Sequence, residues 1–388
     1  MKRNMKLTCL NLFFCAFLFS ADPMPLMAAS AGSALEPVAT DYWSLQEVRN
    51  ISRKVADWQI KEFPQDKYAV EEPKGWIAGA FYMGLFDWAE LDEDDAYFDW
   101  LKKLFGRQQW QVAERMYHAD DICIAQVYLD MYEKYKNEWM LQPTLARTEW
   151  VINHPSNGSM DLDYKEASTI ERWSWCDALF MAPGVYTRLY TLTNNRKYMH
   201  FADNEFRATY HHLYDKKEHL FYRDSRYFSQ KEANGKKVFW GRGNGWVIGG
   251  LAEILKTLPA EDKEYRPFYA SVFVEFCDRL AGLQGKDGYW HASLLDPESY
   301  PSPETSATGF IVYGLAYGIN QGHLPADKYL PIVKKGWKAL VEAVDADGKL
   351  GWVQPVGADP KKVTYDMTEL YGTGAFLMAA CEIYKLCK

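Results

Sequence analysis

None of the seven cysteines pairs at CxxC spacing, and with Cys9 and Cys15 in a leader-like segment only five scattered ones remain, which argues against a disulfide framework and against a zinc site. An excess of basic charge is missing as well. The formal charge is −8, so the footprint that nucleic acid requires is absent. Hydrophobic runs are short: the longest, Leu7 to Phe19, falls below the ~20 residues that span a bilayer. Only eight histidines occur, and the adjacent His211 and His212 point to opposing sides of a helix, a poor arrangement for a shared metal. Strand-like alternation is confined to Leu220 to Phe228 and Lys237 to Trp240, which bracket Glu232-Ala-Asn-Gly235 and suggest one small hairpin.

What the chain does have is aromatic rings, 15 Trp, 26 Tyr and 20 Phe in 388 residues, enough for a large core and for flat faces on which sugars stack. The basic start Met1-Lys-Arg-Asn-Met-Lys6, the apolar run and the small residues Ala28-Ala-Ser-Ala-Gly32 have the anatomy of a secretory signal cleaved near Ala31. Its loss removes three cations and one anion, taking the charge from −8 to −10. The expected arrangement is a signal segment over 1–31 and a single domain over 32–388, secreted across the inner membrane into the periplasm, with no membrane span left after cleavage.

From residue 42 onward the helical period recurs in twelve segments, at about 42–63, 75–91, 95–108, 118–135, 141–154, 173–193, 195–214, 241–259, 264–284, 304–325, 327–344 and 368–386. Even-numbered segments carry small residues such as Gly84, Gly250, Gly309 and Gly374 and few charges, as suits helices covered on both sides. Odd-numbered ones carry a charged face, as in Lys334, Lys335 and Lys338. Six such hairpins predict an all-α fold, an (α/α)6 barrel with an inner and an outer ring; the competing arrangement is an open solenoid of the same pairs.

In a closed ring the starts of the inner segments converge, and they are rich in acids and rings: His118-Ala-Asp-Asp121, Trp173-Ser-Trp-Cys-Asp177, Trp240-Gly-Arg-Gly-Asn-Gly-Trp246, Glu304-Thr-Ser-Ala-Thr308 and Asp366-Met-Thr-Glu-Leu-Tyr371. Acids move protons, rings cover the apolar face of a sugar, and an arginine fork pairs with a carboxylate. Asp177, between Trp175 and an apolar run, is placed to act as a general acid, and its alternative is a helix N-cap. Asp120 and Asp121 offer a second acid or simply first-turn charges, with His118 beside them. The three alternating glycines before Trp246 allow a close backbone approach and leave helix N-terminal amides for a polar ligand.

The stretches Trp175-Cys-Asp-Ala-Leu-Phe-Met-Ala182 and Trp240-Gly-Arg-Gly-Asn-Gly-Trp246, in this order on this helical series, resemble the unsaturated rhamnogalacturonyl hydrolases and the related unsaturated glucuronyl hydrolases. The resemblance implies an (α/α)6 glycoside hydrolase acting on oligosaccharides that end in a 4,5-unsaturated uronic acid, with no metal or organic cofactor. By resemblance, Asp177 is the acid that protonates the double bond and Asp120 the second acid, while Trp240, Arg242 and Trp246 bind substrate. The chemistry so implied assigns Arg242 to the uronate carboxylate, with Tyr82, Trp175, His118 and Arg223 as further substrate-binding residues. One departure stands out: where many rhamnogalacturonyl members have His in a Leu-Phe-Tyr-His stretch, this chain reads Leu220-Phe-Tyr-Arg223. That points away from rhamnogalacturonan and leaves room for unsaturated glucuronyl ends of plant polysaccharides. Two other readings remain: a glycosidase or epimerase of the same fold acting on saturated sugars, and a glycan-binding protein without turnover.

Overall fold

The computed structural model describes residues 42–388, which belong to one compact unit. The expected signal segment lies outside the described residues. In chain order the helices are α1 (Leu45–Glu62), α2 (Lys67–Glu71), α3 (Trp76–Asp92), α4 (Asp95–Arg107), α5 (Ala119–Ile122), α6 (Ala125–Tyr135), α7 (Gln142–Asn153), α8 (Ala178–Met181), α9 (Pro183–Thr193), α10 (Arg196–Leu213), α11 (Gly241–Thr257), α12 (Arg266–Ala281), α13 (Thr305–Asn320), α14 (Ala326–Glu342) and α15 (Leu370–Leu386). None of the described helices is long and apolar enough to cross a membrane.

Periodicity and capping chemistry explain the outer ring. In α14 the buried positions Tyr329, Val333, Gly336, Trp337 and Leu340 repeat at helical spacing, while Lys334, Lys335 and Lys338 are exposed. Ser44, Asp94 and Asn195 begin α1, α4 and α10, each side chain accepting a hydrogen bond from an otherwise orphaned backbone N–H.

The inner ring runs α3, α5–α6, α8–α9, α11, α13, α15, each packed on the next, and α15 packs back on α3. That last contact excludes the open solenoid, and the fold is the (α/α)6 barrel. Small residues make the seam possible: a Cβ on Gly84 would sit 2.4 Å from the Gly374 carbonyl oxygen, and one on Gly374 would sit 2.2 Å from that of Ala80. Backbone lies against backbone there, so Gly374→Ala would force the two helices apart.

Two expected helices are interrupted, each just past a site acid. The 118–135 segment splits into α5 and α6, and the 173–193 segment into α8 and α9, the second break falling at Pro183, which cannot donate a backbone hydrogen bond. The expected hairpin is a correction. Strand β2 (Leu220–Phe221) pairs backward with β1 (Tyr214–Asp215), while a single Lys231–Lys237 bridge closes the Glu232 to Gly235 turn. Asn244 decides this, since its side chain caps both the Phe221 N–H (2.9 Å) and the Phe221 carbonyl (3.1 Å).

Candidate active site

The short helices α5 and α8 each raise one acid into the mouth of the barrel. Asp177 precedes α8, yet its side chain makes no capping hydrogen bond, so the N-cap alternative fails. Instead its Oδ2 lies 3.3 Å from Arg223 Nε and accepts from the Cys176 thiol at 3.6 Å. Its side chain is 10% exposed, buried enough to be desolvated and open enough to be reached.

Asp120 and Asp121 are neighbours with different environments. Asp121 is clamped by Arg115, accepting from its backbone N–H at 2.7 Å and its Nε at 2.9 Å, which makes it a strut for the 113–121 loop. Asp120 has no such cation. Burial, and then the charge of Asp177, push its carboxyl from 3.8 to about 7, against the weaker pull of Arg115 and Arg223. His118 caps α5, its Nδ1 accepting from the Asp120 N–H at 3.3 Å, and its ring packs 4.8 Å from that of Trp175. Burial and then Arg115 lower His118 to about 4, so near neutrality the imidazole is uncharged and its remaining proton is on Nε2.

Arg223 leaves β2 and crosses to these acids. Its Nη1 donates to Asp224 Oδ2 at 2.8 Å and to the Tyr164 hydroxyl at 3.0 Å, and its carbonyl accepts from the Cys176 N–H at 2.8 Å. Asp224 is fully buried; desolvation raises it, but hydrogen-bonded Arg226 and Arg223 prevail and hold it below the usual carboxylate range.

The Trp240 to Trp246 stretch opens α11 as its glycines suggested, with a difference in what they approach. A Cβ on Gly241 would meet the His291 carbonyl oxygen at 2.3 Å, and one on Gly243 the Trp240 ring at 2.8 Å and Cys176 Sγ at 3.1 Å. The close approach is to the protein's own loop and to the residue before Asp177, and the Gly241 N–H donates to Ala292 O at 2.7 Å.

Three assignments need correction on packing grounds. Arg242 is fully buried between the Trp240 and Tyr371 rings (4.5 and 4.8 Å), and its guanidinium donates to the carbonyls of Gln354 and Pro355, so both arms hold a loop. Trp246 is fully buried among Trp76, Phe180, Phe310 and Tyr371 and forms the floor beneath the mouth. Tyr82 is also fully buried, its hydroxyl donating to Pro73 O at 3.1 Å. Trp240 and Trp175 are 2% and 3% exposed, leaving only their edges for a ligand.

Sequence reasoning missed Trp76 and named Glu369 only as a member of the Asp366 to Tyr371 cluster, with no role of its own. Trp76, the first residue of α3, stays partly exposed and stacks on Tyr371 at 5.4 Å and 20°, so it offers the mouth a free aromatic face. Glu369, before α15, makes no cap hydrogen bond and is pushed to about 7 by burial and then by Asp66, Arg242 opposing. The available signal was position, since both open an inner helix as Asp177 and Trp240 do. Beside Trp76, a cavity of about 500 Å³ runs past Glu72, Lys74, Glu114, Arg115 and Asp121 toward the Asp120 turn. A larger one, about 750 Å³, lies along Arg279 and Gly282 to Asp287 and contains none of Asp120, Asp177 or Glu369.

Comparison with known proteins agrees with this geometry. The model of Glycosyl Hydrolase Family 88 matches residues 51–387. An unsaturated 3S-rhamnoglycuronyl hydrolase of Formosa agariphila is 40% identical over 81% of this chain and 85% of its own. A protein of the same name from Alteromonas sp. (strain LOR) is 38% identical over 86% and 85%. The solved structure of a glycosyl hydrolase family 88 protein from Bacteroides vulgatus superposes with a TM-score of 0.77 at 34% identity, covering 88% of this chain and 99% of that one. The chain therefore belongs to Glycosyl Hydrolase Family 88 and is a glycoside hydrolase that removes an unsaturated uronic acid from oligosaccharides.

Proposed function

We propose that the chain hydrates the C4–C5 double bond of a 4,5-unsaturated uronyl residue linked to rhamnose, with Asp177 as the proton-transferring group, and that it does so in the periplasm. The observation that carries the mechanism is the acid pair: two carboxyls in one desolvated pocket, one of them raised to about 7 partly by the charge of the other. Asp120 therefore keeps a proton up to about neutrality beside the second carboxyl.

In this mechanism Asp177 gives a proton to C4, and the electron pair of the double bond forms the C4–H bond. The positive charge appears at C5 and is shared with the ring oxygen. Water adds to C5 and returns a proton to Asp177, so one carboxyl serves as acid and then as base. Breaking the bond between C5 and the ring oxygen leaves a C5 ketone, and the hemiacetal at C1 releases the leaving sugar. No nucleophile has to attack C1, so the carboxyl spacing rules of two-acid glycosidases do not govern this site.

Rhamnose as the leaving sugar rests on the names of the two curated relatives and on Arg223, which departs from the histidine of many rhamnogalacturonyl members. The periplasm rests on the signal-like residues 1–31. Loss of ultraviolet absorbance should be fastest with a rhamnose-linked unsaturated disaccharide, and a sulfur-linked analogue should still turn over, because hydration does not break the C1 bond in its slow step. Preference for a galacturonate-linked disaccharide would overturn the rhamnose assignment, and an inert sulfur analogue would overturn the hydration route. Release of reducing sugar from saturated oligosaccharides alone would favour the saturated-sugar reading.

A further inference from the structure

The corrected position of Arg242 removes the cation that was to receive the uronate carboxylate. Both of its arms meet backbone carbonyls in a sealed aromatic sandwich, and it has no exposed surface. A substrate with a carboxylate on C5 still needs a cation beside the reacting carbon, because an unpaired anion in a desolvated pocket is costly. Arg115 is engaged through Nε and Nη2 with Asp121. Arg188 lies deeper in the barrel, paired with Asp130 and Glu253.

Arg223 is the guanidinium in contact with Asp177, the proton-transferring group. It keeps 12% of its side chain exposed, its Nε faces Asp177 Oδ2 at 3.3 Å, and its Nη1 is fixed by Asp224 and Tyr164. Its Nη2 makes no hydrogen bond among the described residues, and it is not sealed from solvent. Resting on the hydration reading, we propose that Arg223 is the receptor for the substrate's uronate carboxylate and thereby a specificity-determining residue of this site.

The chemistry of the substrate selects the carboxylate over any other anion. Asp177 delivers its proton to C4, and the carboxylate carbon is attached to C5, two bonds from that point. A cation touching Asp177 is therefore close to the uronate carboxylate, whereas a charged group on the leaving sugar is separated from C4 by the whole uronyl ring.

The test pairs two substrates with three variants. Wild type should cleave the free-acid unsaturated disaccharide with a kcat/KM about 30- to 100-fold above that of its uronate methyl ester, the factor expected for a charge-assisted arginine contact. Arg223→Gln should lose that factor on the acid, mainly through KM, and change little on the ester, so the acid-to-ester ratio falls to about threefold or less. Arg223→Lys should recover part of the preference. Arg223→His, which restores the residue of many rhamnogalacturonyl members, should remain active with a smaller preference.

Equal losses on acid and ester in Arg223→Gln would overturn the receptor role and leave a purely structural one. A preference that instead follows a sulfate on the leaving sugar would place the anion elsewhere and overturn it too. Should wild type fail on both unsaturated substrates, the hydration reading itself falls, an outcome distinct from either.

Discussion

Deep in the inner ring, Arg188 reaches Asp130 and Glu253 at 2.7 Å each and Gln126 at 3.0 Å, and Glu253 also accepts from the Tyr313 hydroxyl at 2.5 Å. Lys256 pairs with Asp87 at 2.7 Å beside them. At the N-terminal starts of the same ring, Asp120 lies 3.6 Å from uncharged His118 and pairs with no Lys or Arg among the described residues, and Arg223 Nη2 makes no hydrogen bond among them. Both regions bury charge. In the first every group named has a partner, which ties α3, α6, α9, α11 and α13 to one another. In the second the count is left incomplete, and an acid that is uncompensated for charge holds a proton that can be transferred. Buried charge alone does not mark the active site of this barrel; the missing partner does.

The sharpest break in that comparison comes from Asp177. Replacing it with Asn should lower kcat on an unsaturated disaccharide by about 10³-fold or more, with thermal unfolding unchanged to within a few degrees. A folded Asp177→Asn protein that retains full rate would remove Asp177 from the chemistry. Arg188→Met should do the reverse. It leaves Asp130 and Glu253 buried without their cation, so urea unfolding should register a loss of about 3–5 kcal/mol while kcat moves by less than about twofold at a temperature where the variant is folded. A large fall in kcat there would mean that the deep network tunes the mouth.

Much of this architecture was legible because it is repetitive. Small residues fell in alternate segments, and the closing contact between Gly84 and Gly374 follows from them once the ring is assumed. Asp177 was legible from its apolar company. Residue type could not separate Arg242 from Arg223, because the difference lies in what comes later in the chain: the carbonyls that occupy Arg242 belong to Gln354 and Pro355, more than a hundred residues away. Asp120 and Asp121 were likewise indistinguishable until the loop brought Arg115 onto one of them. The hairpin failed for a related reason, since Asn244 of α11 pins Phe221 and the strand pairs with what precedes it.

Asp120 predicts a smaller and pH-dependent effect. Its folded-state value of about 7 lies above the ordinary 3.8, so the folded protein binds the extra proton between those limits and stability from this group declines as pH rises through them. Wild-type kcat/KM should accordingly fall above about pH 7, and Asp120→Asn should flatten that limb while lowering the maximum. The same variant should unfold at a higher temperature than wild type above pH 7, because a buried uncompensated anion is gone. Unfolding temperatures that coincide across pH 5 to 9 would show that Asp120 is not held in this state.

The smallest effect separates the mouth from the core on a single hydroxyl. If Tyr82 touched the sugar, Tyr82→Phe would raise KM; in this structure its hydroxyl donates to the Pro73 carbonyl at 3.1 Å and meets the Gln108 side chain, within a cluster of Phe63, Trp100 and Phe105 rings. Removing it costs one buried neutral hydrogen bond, about 1 kcal/mol of stability, with KM and kcat both within about twofold of wild type. Trp76→Ala is the control from the other side of that boundary, where a partly exposed ring stacked on Tyr371 is lost and KM should rise by about tenfold, a larger change than that in stability. An elevated KM in Tyr82→Phe together with an unmoved one in Trp76→Ala would reverse the boundary drawn here between the sugar-facing rings and the packed ones.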